Sequence, residues 1–449
     1  MRMPEVKLGV ALLFVVFGWS SWIDVNGVWV ELPLMVHRLP ENWNLPSYLV
    51  LIIQAALIGP LVYAGVCHLI KKYNTEAKTT IQNLQTGVIF CIVSVGALAV
   101  LFISFFWDVT SVIGGEERST VLLTLSFALA MVDTLSSVTF LPFLAHFKPV
   151  YMAAFCMGEG MSGLLPTIIA FIQGSGEYTC VQVNATGNGT ENTDLQPLYA
   201  DLLFTVRDFF LMLFVMLIMS LLAFALLQYS QFAKSERVKN ESDTEPSILY
   251  TKPKTLDESS NSDLDSKAEI VKEVDDTVKE SLSTAKYRLI LTLMTLISGV
   301  AYGALPSIQI YSLLPYGQLY YSWGMKLATL CNPLACALGF FIMSESFLTL
   351  GVLTSMAGAS ALYILVIACF SPEPPIEGDA AAVVMVIVWI FFSGTVAYLR
   401  MLLSKIGMRR GHSGLFWLGM CTQIGSFIGA LSAFLCTSVF QLLGSASPC

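Results

Sequence analysis

Long apolar runs separated by short polar segments make up almost the whole chain. A transmembrane helix needs about 20 consecutive, mostly apolar residues, and eleven runs reach that length. They lie approximately at residues 8–30, 47–70, 82–106, 119–143, 150–173, 202–229, 287–311, 318–342, 347–370, 380–403 and 414–440. The pattern therefore predicts an all-α polytopic membrane protein with eleven transmembrane helices.

One hydrophilic segment interrupts this series after the sixth run. Residues 231–285 are rich in Ser, Asp, Glu, Lys and Thr and contain few aromatic residues, so they cannot bury enough apolar surface to fold. We interpret the segment as a disordered cytoplasmic linker between an N-terminal six-helix bundle at 1–230 and a C-terminal five-helix bundle at 286–449. Two bundles around a central site form a common plan of secondary transporters.

Composition supports the membrane class, and the absence of known motifs argues against an enzyme or a metal protein. The chain has 449 residues, of which 55% are hydrophobic and 12% charged. Its formal net charge of −8 arises largely in the linker and indicates neither a nucleic-acid partner nor an obligate protein partner. The ten cysteines form no CxxC pair, and no catalytic Ser/His/Asp set, metal cluster or phosphate loop is present at usable spacing. We therefore predict no enzyme, no metal site and no cofactor.

Basic residues and glycosylation sequons predict the same orientation. The N-terminus and the loops after even-numbered runs carry the basic residues Arg2, Lys7, Lys71, Lys72, Lys78, Lys148, Arg400, Lys405, Arg409 and Arg410, which places them in the cytoplasm. The sequons at Asn184 and Asn188 fall in the loop after the fifth run, on the opposite side. A cytoplasmic N-terminus and, with eleven crossings, an extracellular C-terminus follow. The sequon at Asn240 lies in the linker and should stay unmodified.

The first apolar run contains an aromatic and polar group that lipid would not solvate. Trp22, Asn26 and Trp29 recur at helical spacing, so one continuous helix would present them on one face. Flat rings beside an amide suit an uncharged, planar ligand with polar edges. Glu31 follows directly after this run, and a carboxylate at such a position normally faces a bundle interior or a water-filled cavity. The alternative is an aromatic belt, with Pro33 ending the helix.

The fourth and fifth runs hold a second polar group. Asp133, Ser137, Thr139 and Phe140 lie in the fourth run, and Glu159 lies among three glycines and Pro166 in the fifth. An intramembrane carboxylate indicates a ligand or proton site, although one bound to a neighbouring helix is the alternative for Asp133. The hydroxyls are equally consistent with bonds back to their own helix. The glycines are consistent with close helix packing.

The C-terminal part contributes a broken helix end and a charge. Gln309 and Tyr316 lie between Pro306 and Gly317, and such interrupted segments are tolerated where they line a cavity. Lys326 in the eighth run has two candidate partners, Asp133 and Glu159, and a third option of extending along the bundle.

These motifs resemble the eukaryotic riboflavin transporters, solute carrier family 52, over nearly the full length, with the vertebrate intestinal type the most similar. The resemblance rests on matching segments in both halves, namely Trp22, residues 26–34, 45–48, 137–143, 158–166, 173–176, 305–307, 311–312, 316–317, 332–335 and 392–394. It implies an eleven-span plasma-membrane carrier, arranged like nucleoside transporters, that takes up riboflavin without sodium and in some members works better at acidic pH. Riboflavin would be cargo and the lipid bilayer the surroundings.

The resemblance also suggests roles for the polar groups, since riboflavin is a flat, uncharged tricycle with a uracil-like edge and a ribityl chain. We expect Trp22, Trp29, Phe140 and Tyr316 to stack on the ring system, and Asn26 and Gln309 to bind the uracil-like edge. Glu31, Ser137, Thr139 and Glu159 would hold the ribityl hydroxyls. Asp133 and Glu159 are the proton-coupling candidates.

Two departures from the family pattern and one rival function accompany this interpretation. Residues 371–374 read Ser-Pro-Glu-Pro where relatives have Ser-Pro-Cys-Pro, so a disulfide from there to Cys449 is excluded. Lys326 stands where relatives have no lysine, which alters the local charge. The rival function is a nucleoside or nucleobase carrier, whose ligand presents the same kind of edge.

Overall fold

The computed structural model describes residues 6–36, 38–41, 45–74, 76–174, 178–184, 193–199, 202–238, 282–342 and 346–444. Most of the predicted linker lies outside these residues, as do Asn188, Asn240 and Cys449. We refer to residues 6–238 as the N-terminal half and to residues 282–444 as the C-terminal half.

Helices account for most of the described chain. The N-terminal half contains α1 (Leu8–Trp19), α2 (Ile23–Met35), α3 (Leu45–Ala55), α4 (Ile58–Tyr73), α5 (Ala77–Phe106), α6 (Thr120–Leu144), α7 (Tyr151–Gln173), α8 (Val206–Tyr229) and the short α9 (Gln231–Lys234). The C-terminal half contains α10 (Thr284–Ser298), α11 (Leu305–Leu313), α12 (Gln318–Leu338), α13 (Phe347–Cys369), α14 (Asp379–Gly407) and α15 (Gly411–Phe434). A π-helical segment, Gly299–Ala304, joins α10 to α11.

Two antiparallel hairpins lie in the connections between helices. In the first, β1 (Ser111–Ile113) pairs with β2 (Glu116–Arg118) in the connection between α5 and α6. In the second, β3 (Tyr178–Asn184) pairs with β4 (Thr193–Tyr199), and Asn184 lies opposite Thr193 at its tip. Both hairpins lie in connections that the charge pattern assigns to the outside.

By length and composition, eight helices of the described chain could cross a membrane, or nine if the bent pair α1 and α2 forms one span. One of the eight is a continuous stretch of helix, Asp379–Thr437, that includes both α14 and α15. The α12 helix is not among them. The structure therefore supports a helical membrane protein, with a smaller number of qualifying helices than the eleven apolar runs.

The first apolar run is not the single helix that its spacing suggested. The chain breaks between Trp19 and Ile23, and the axes of α1 and α2 differ by 50°. Trp22 has φ −149° and precedes α2, so it does not share a helical face with Asn26 and Trp29. Pro33 lies inside α2 and does not end it, contrary to the aromatic-belt alternative.

Serine hydroxyls bind the carbonyl groups near this break. Ser220 Oγ of α8 donates to the Phe17 oxygen at 3.1 Å, and Ser136 Oγ of α6 lies 3.2 Å from the Ser21 oxygen. Non-helical backbone at membrane depth requires such partners, because lipid offers none. The break is therefore held from two neighbouring helices of the N-terminal half.

The two halves pack most closely along two helix pairs. Helix α7 packs against α12, where a Cβ on Gly160 would lie 2.9 Å from the Pro333 nitrogen. Helix α6 packs against α15, where a Cβ on Gly419 would overlap the Ser137 carbonyl oxygen. Only glycine permits such close backbone approach. The glycines thus set the distance between the halves.

Most recorded polar contacts between the halves lie toward the end that the basic residues assign to the cytoplasm. His412 at the start of α15 lies 3.0 Å from the Gln85 amide oxygen, and Gln423 donates to Ser137 Oγ at 2.7 Å. Nearer the other end, Lys326 of α12 lies over the Phe171 ring of α7, 4.1 Å from its centroid. The described residues thus hold the halves together mainly at the predicted cytoplasmic side.

Candidate functional site

Asn26 lies where three helices from both halves converge. Its side chain is half-buried on α2. A Cβ built on Gly163 of α7 would lie 3.6 Å from Asn26 Nδ2 and 3.7 Å from the Thr329 methyl group of α12. This places an amide at the interface between the halves, where alternating-access carriers hold their cargo.

The two tryptophans of the predicted aromatic face have different surroundings. Trp22 is half-buried at the α1–α2 break. Trp29 lines a small cavity within the N-terminal half, together with Val25, Val28, Leu49, Ile53 and Ser126. The structure therefore leaves Trp22 next to the helix break and directs Trp29 toward α3 and α6.

Glu31 is fully buried one turn beyond Asn26 on α2. Its carboxyl lies beside the side chain of Gln173 at the end of α7, whose Nε2 donates to the Phe204 oxygen at 3.2 Å. Within the described part of the chain, neither carboxyl oxygen of Glu31 has a hydrogen-bond donor. Glu31 is thus a buried acceptor group toward the predicted outer end.

The three predicted site residues of α6 separate into one interface residue and two core residues. Ser137 faces the C-terminal half, since it accepts from Gln423. Thr139 is fully buried and its hydroxyl donates to the Leu135 oxygen of its own helix at 2.8 Å. Phe140 is 1% exposed and packs on Phe17 with ring centroids 4.4 Å apart. The structure does not bring Thr139 and Phe140 to the interface between the halves.

Gln309 and Tyr316 lie on the C-terminal side. Gln309 is half-buried on α11, and Tyr316 is half-buried in the turn Leu314–Tyr316 that follows. Trp389 of α14 fixes this region by donating from Nε1 to Ser312 Oγ at 3.1 Å. Both predicted residues therefore stand at an interrupted helix end, as the proline pattern suggested.

Glu159 forms an ion pair that joins the two halves. Its Oε1 accepts from Arg400 Nη2 of α14 at 2.6 Å, and the two side chains are 11% and 13% exposed. The Arg400 guanidinium also donates from Nη1 to the Tyr302 hydroxyl at 3.3 Å. The charge pattern assigned Arg400 to a cytoplasmic loop, which was wrong because α14 continues to Gly407 and carries Arg400 within the helix.

Asp133 pairs with another carboxyl. Asp133 and Asp24 are both 0% exposed, and the two side chains lie within hydrogen-bonding reach of each other. Asp24 follows the helix break directly and accepts from the Val25 nitrogen at 2.9 Å. Lys326, one predicted partner of Asp133, contacts Phe171.

Sequence reasoning missed four members of this region: Asp24, Thr329, Arg400 and Gln423. Asp24 had a usable signal, since it is a carboxylate in an apolar run. Arg400 lies seven residues before the end of α14, a helix whose length the hydropathy pattern underestimated. Thr329 and Gln423 are single polar residues without a motif. In the part of the chain that the structure describes, no group of three or more His, Cys, Asp or Glu residues could hold a metal ion.

The fold is similar to solved transporters of the major facilitator superfamily. The structure of the Escherichia coli fucose–proton symporter FucP in the outward conformation matches with a TM-score of 0.53, 11% identity and coverage of 97% of this chain and 92% of that one. The proton–xylose symporter XylE matches with a TM-score of 0.52, 11% identity, and coverage of 97% and 87%. At this identity the likeness concerns the fold alone.

Sequence comparisons identify the family. Solute carrier family 52, riboflavin transporter, matches residues 6–445. Riboflavin transporter member 3-B of Danio rerio is 35% identical over 98% of each chain. Member 3 of Homo sapiens is 34% identical over 98% of this chain and 97% of its own. The motifs in both halves and these full-length matches together show that the chain belongs to solute carrier family 52, the riboflavin transporter family.

Proposed function

We propose that this protein carries riboflavin into cells across the plasma membrane without sodium. The observation that carries the proposal is the full-length family match, since the relatives bear the name riboflavin transporter over the same extent of chain. The convergence of α2, α7 and α12 at Asn26 supplies a polar position between the halves. Riboflavin is the cargo, and the bilayer is the only other partner that the proposal requires.

We further propose that the chain crosses the membrane eleven times, as six spans and then five. The continuous helical stretch Asp379–Thr437 has 59 residues. If it were straight, it would be about 88 Å long, whereas the hydrocarbon core of a bilayer is about 30 Å thick. This stretch turns at Gly411, which has φ 63°, so it supplies two crossings. With the bent pair α1–α2 and with α12, whose length of 21 residues suffices, the count reaches eleven.

The ligand would lie against the interface between the halves, near Asn26. In this arrangement Asn26 and Gln309 bind the uracil-like edge, and Trp22 and Tyr316 supply aromatic surface from opposite halves. Ser137, Glu31 and Glu159 remain proposed partners of the ribityl hydroxyls. We assign Phe140, Thr139 and Trp29 to the packing of the N-terminal half, because their contacts lie within it.

Uptake of labelled riboflavin into cells that express this chain tests the proposal. Saturable uptake above the empty-vector control, blocked by unlabelled riboflavin and unaffected by uridine or by sodium removal, is the expected result. Block by uridine would instead indicate a nucleoside carrier. Absence of uptake from cells with verified surface expression would refute riboflavin as the cargo.

A further inference from the structure

Asp24 and Asp133 form a carboxyl pair buried at the depth of the helix break. Both side chains are inaccessible to solvent. Asp24 Oδ1 accepts from the Val25 nitrogen at 2.9 Å. Among the described residues, Asp24 Oδ2 and both oxygens of Asp133 have no donor when the groups are treated as carboxylates. Three buried acceptor atoms of the pair are therefore left without a hydrogen-bond donor.

No positively charged side chain among the described residues forms an ion pair with Asp24 or Asp133. The titratable group that acts on each carboxyl is the other carboxyl. Gly96 on α5 approaches Asp24, since a Cβ there would lie 3.2 Å from Asp24 Oδ2 and 3.4 Å from Val132 of α6.

One bound proton would stabilise this buried carboxyl pair. Two carboxylates side by side cannot both stay ionised when buried, because their repulsion adds to the desolvation cost. A carboxylate donates no hydrogen bond, whereas one protonated carboxyl donates to its neighbour. A single shared proton therefore gives the pair a hydrogen bond and lowers its charge from two to one.

We propose that Asp24 and Asp133 form a proton-binding site within the membrane, loaded in this conformation and emptied toward the cytoplasm during each transport cycle. The inference rests on the proposed riboflavin transport and specifies how acid would drive it. The proton comes from external water, binds a carboxylate oxygen, and leaves as hydronium on the cytoplasmic side, so charge and atoms balance. Flavin and proton would then move in the same direction.

The Asp24–Asp133 pair lies close in sequence both to proposed ligand contacts and to a contact between the two halves. Asp24 is two residues from Trp22 and two from Asn26, so movement at the helix break displaces both proposed ligand contacts. Asp133 is one turn from Ser137, which contacts Gln423 of the C-terminal half. Loss of the proton would make α2 and α6 repel each other at this point. Repulsion there would loosen the α6–α15 contact that closes the predicted cytoplasmic side.

The geometry also separates this pair from the other proton-coupling candidate. Glu159 has a cationic partner, Arg400, at 2.6 Å. Within the described ranges, neither Asp24 nor Asp133 forms an ion pair. We therefore assign the proton to the pair and an ionic role to Glu159.

Uptake measured at outer pH of about 5.5 and about 7.5 tests the assignment, because the pair should load its proton more fully in acid. The wild-type protein should take up more riboflavin at the lower pH. Asp24→Asn and Asp133→Asn should each bring the ratio to about 1, because one acid is then permanently neutral. Asp108→Asn, an exposed aspartate at the outer end of α5, is the matched control and should keep the wild-type ratio.

Infrared difference spectroscopy of the purified protein supplies a second readout that needs no transport. The wild-type protein should show at neutral pH a carbonyl band of a buried neutral carboxylic acid that is missing from Asp133→Asn and present again in Asp133→Glu, whereas any band from the buried Glu31 should be common to all three proteins. Absence of the band in the wild type, or an unchanged pH ratio in both Asn variants, would overturn the proton site. Absence of riboflavin uptake by the wild type, with the band present, would refute the cargo and leave the proton site standing.

Discussion

At the scale of single residues, Asn26 supplies the sharpest test of the ligand site. Asn26→Ala removes the amide at the junction of α2, α7 and α12, which should leave one polar edge of the ligand unpaired at a cost of about 1–3 kcal/mol. We expect the KM for riboflavin to rise by about 5-fold to about 100-fold, with weaker preference over analogues that alter the uracil-like edge.

The control for this substitution is Asn74→Ala. Asn74 is exposed in the turn after α4, where its Nδ2 donates to Thr80 at 2.9 Å, so its removal should leave KM unchanged. An Asn26→Ala protein with wild-type KM and wild-type analogue preference would remove Asn26 from the site.

The ion pair of Glu159 with Arg400 is a second prediction at this scale. Breaking a buried pair from one side typically costs about 3–5 kcal/mol, because the remaining charge is left without a partner. Glu159→Gln should therefore lower the thermal stability of the purified protein. The double substitution Glu159→Gln with Arg400→Gln should recover most of the loss.

Differential scanning fluorimetry of the wild type, Glu159→Gln, Arg400→Gln and the double variant gives the coupling between the two positions. Strictly additive losses in the double variant would mean that the two side chains do not interact in the folded protein. Stability is the appropriate readout here, since Glu159 also belongs to the proposed ligand site.

At the scale of helices, the close packing of α6 against α15 should stabilise the contact between the two halves. A Cβ on Gly419 would overlap the Ser137 carbonyl oxygen, whereas one on Gly358 of α13 meets nothing within 4 Å. Gly419→Ala should separate the helices, lower thermal stability and reduce uptake, and Gly358→Ala should do neither. Equal behaviour of the two alanine variants would show that this contact does not hold the halves together.

Residues 231–238, which follow α8, form a cluster of ion pairs, the ionic clip, at the predicted cytoplasmic end of the N-terminal half. Glu236 accepts from Lys148 at 2.7 Å and from the Tyr151 hydroxyl at 3.0 Å, and Lys7 lies 3.3 Å away. The pKa of Glu236 lies below its ordinary value, chiefly because of the Lys148 hydrogen bond. A lowered pKa means that this stabilisation is present above the unfolded-state pKa and disappears as the pH falls through the folded one.

The clip therefore predicts a pH dependence of stability. Between pH of about 7 and about 3, which spans the ordinary glutamate pKa of about 4.3, the wild-type protein should lose more thermal stability than Glu236→Gln does. Glu76→Gln, an exposed residue before α5, should follow the wild type. A Glu236→Gln protein with the wild-type pH profile would show that the clip contributes nothing.

At the scale of the whole molecule, N-linked glycosylation reports which side of the membrane each connection faces. If the connection between α7 and α8 is extracellular, Asn184 and Asn188 should carry N-linked glycans, and Asn240 should not. Endoglycosidase treatment should then increase gel mobility, and the double variant Asn184→Gln with Asn188→Gln should abolish that shift. A mobility shift that depends on Asn240 would show that the chain has the opposite orientation.

The sequence by itself determined the class, the family and much of the helix pattern. Lipid demands about 20 apolar residues per crossing, so the runs had to coincide with helices, as at 82–106 and α5 or 150–173 and α7. Family motifs extend through both halves, and full-length relatives confirm them. The buried carboxylates Asp133, Glu31 and Glu159 were also detectable, because acids are rare in spans.

Only the tertiary structure decided which polar groups meet. Glu159 and Arg400 are 241 residues apart, and the register between α7 and α14 pairs them. Asp24 meets Asp133 because the chain breaks before Asp24 and turns it toward α6, which helical periodicity alone did not indicate. Burial forces each such group to find a partner, but helix packing selects the partner, and packing depends on contacts between segments distant along the chain.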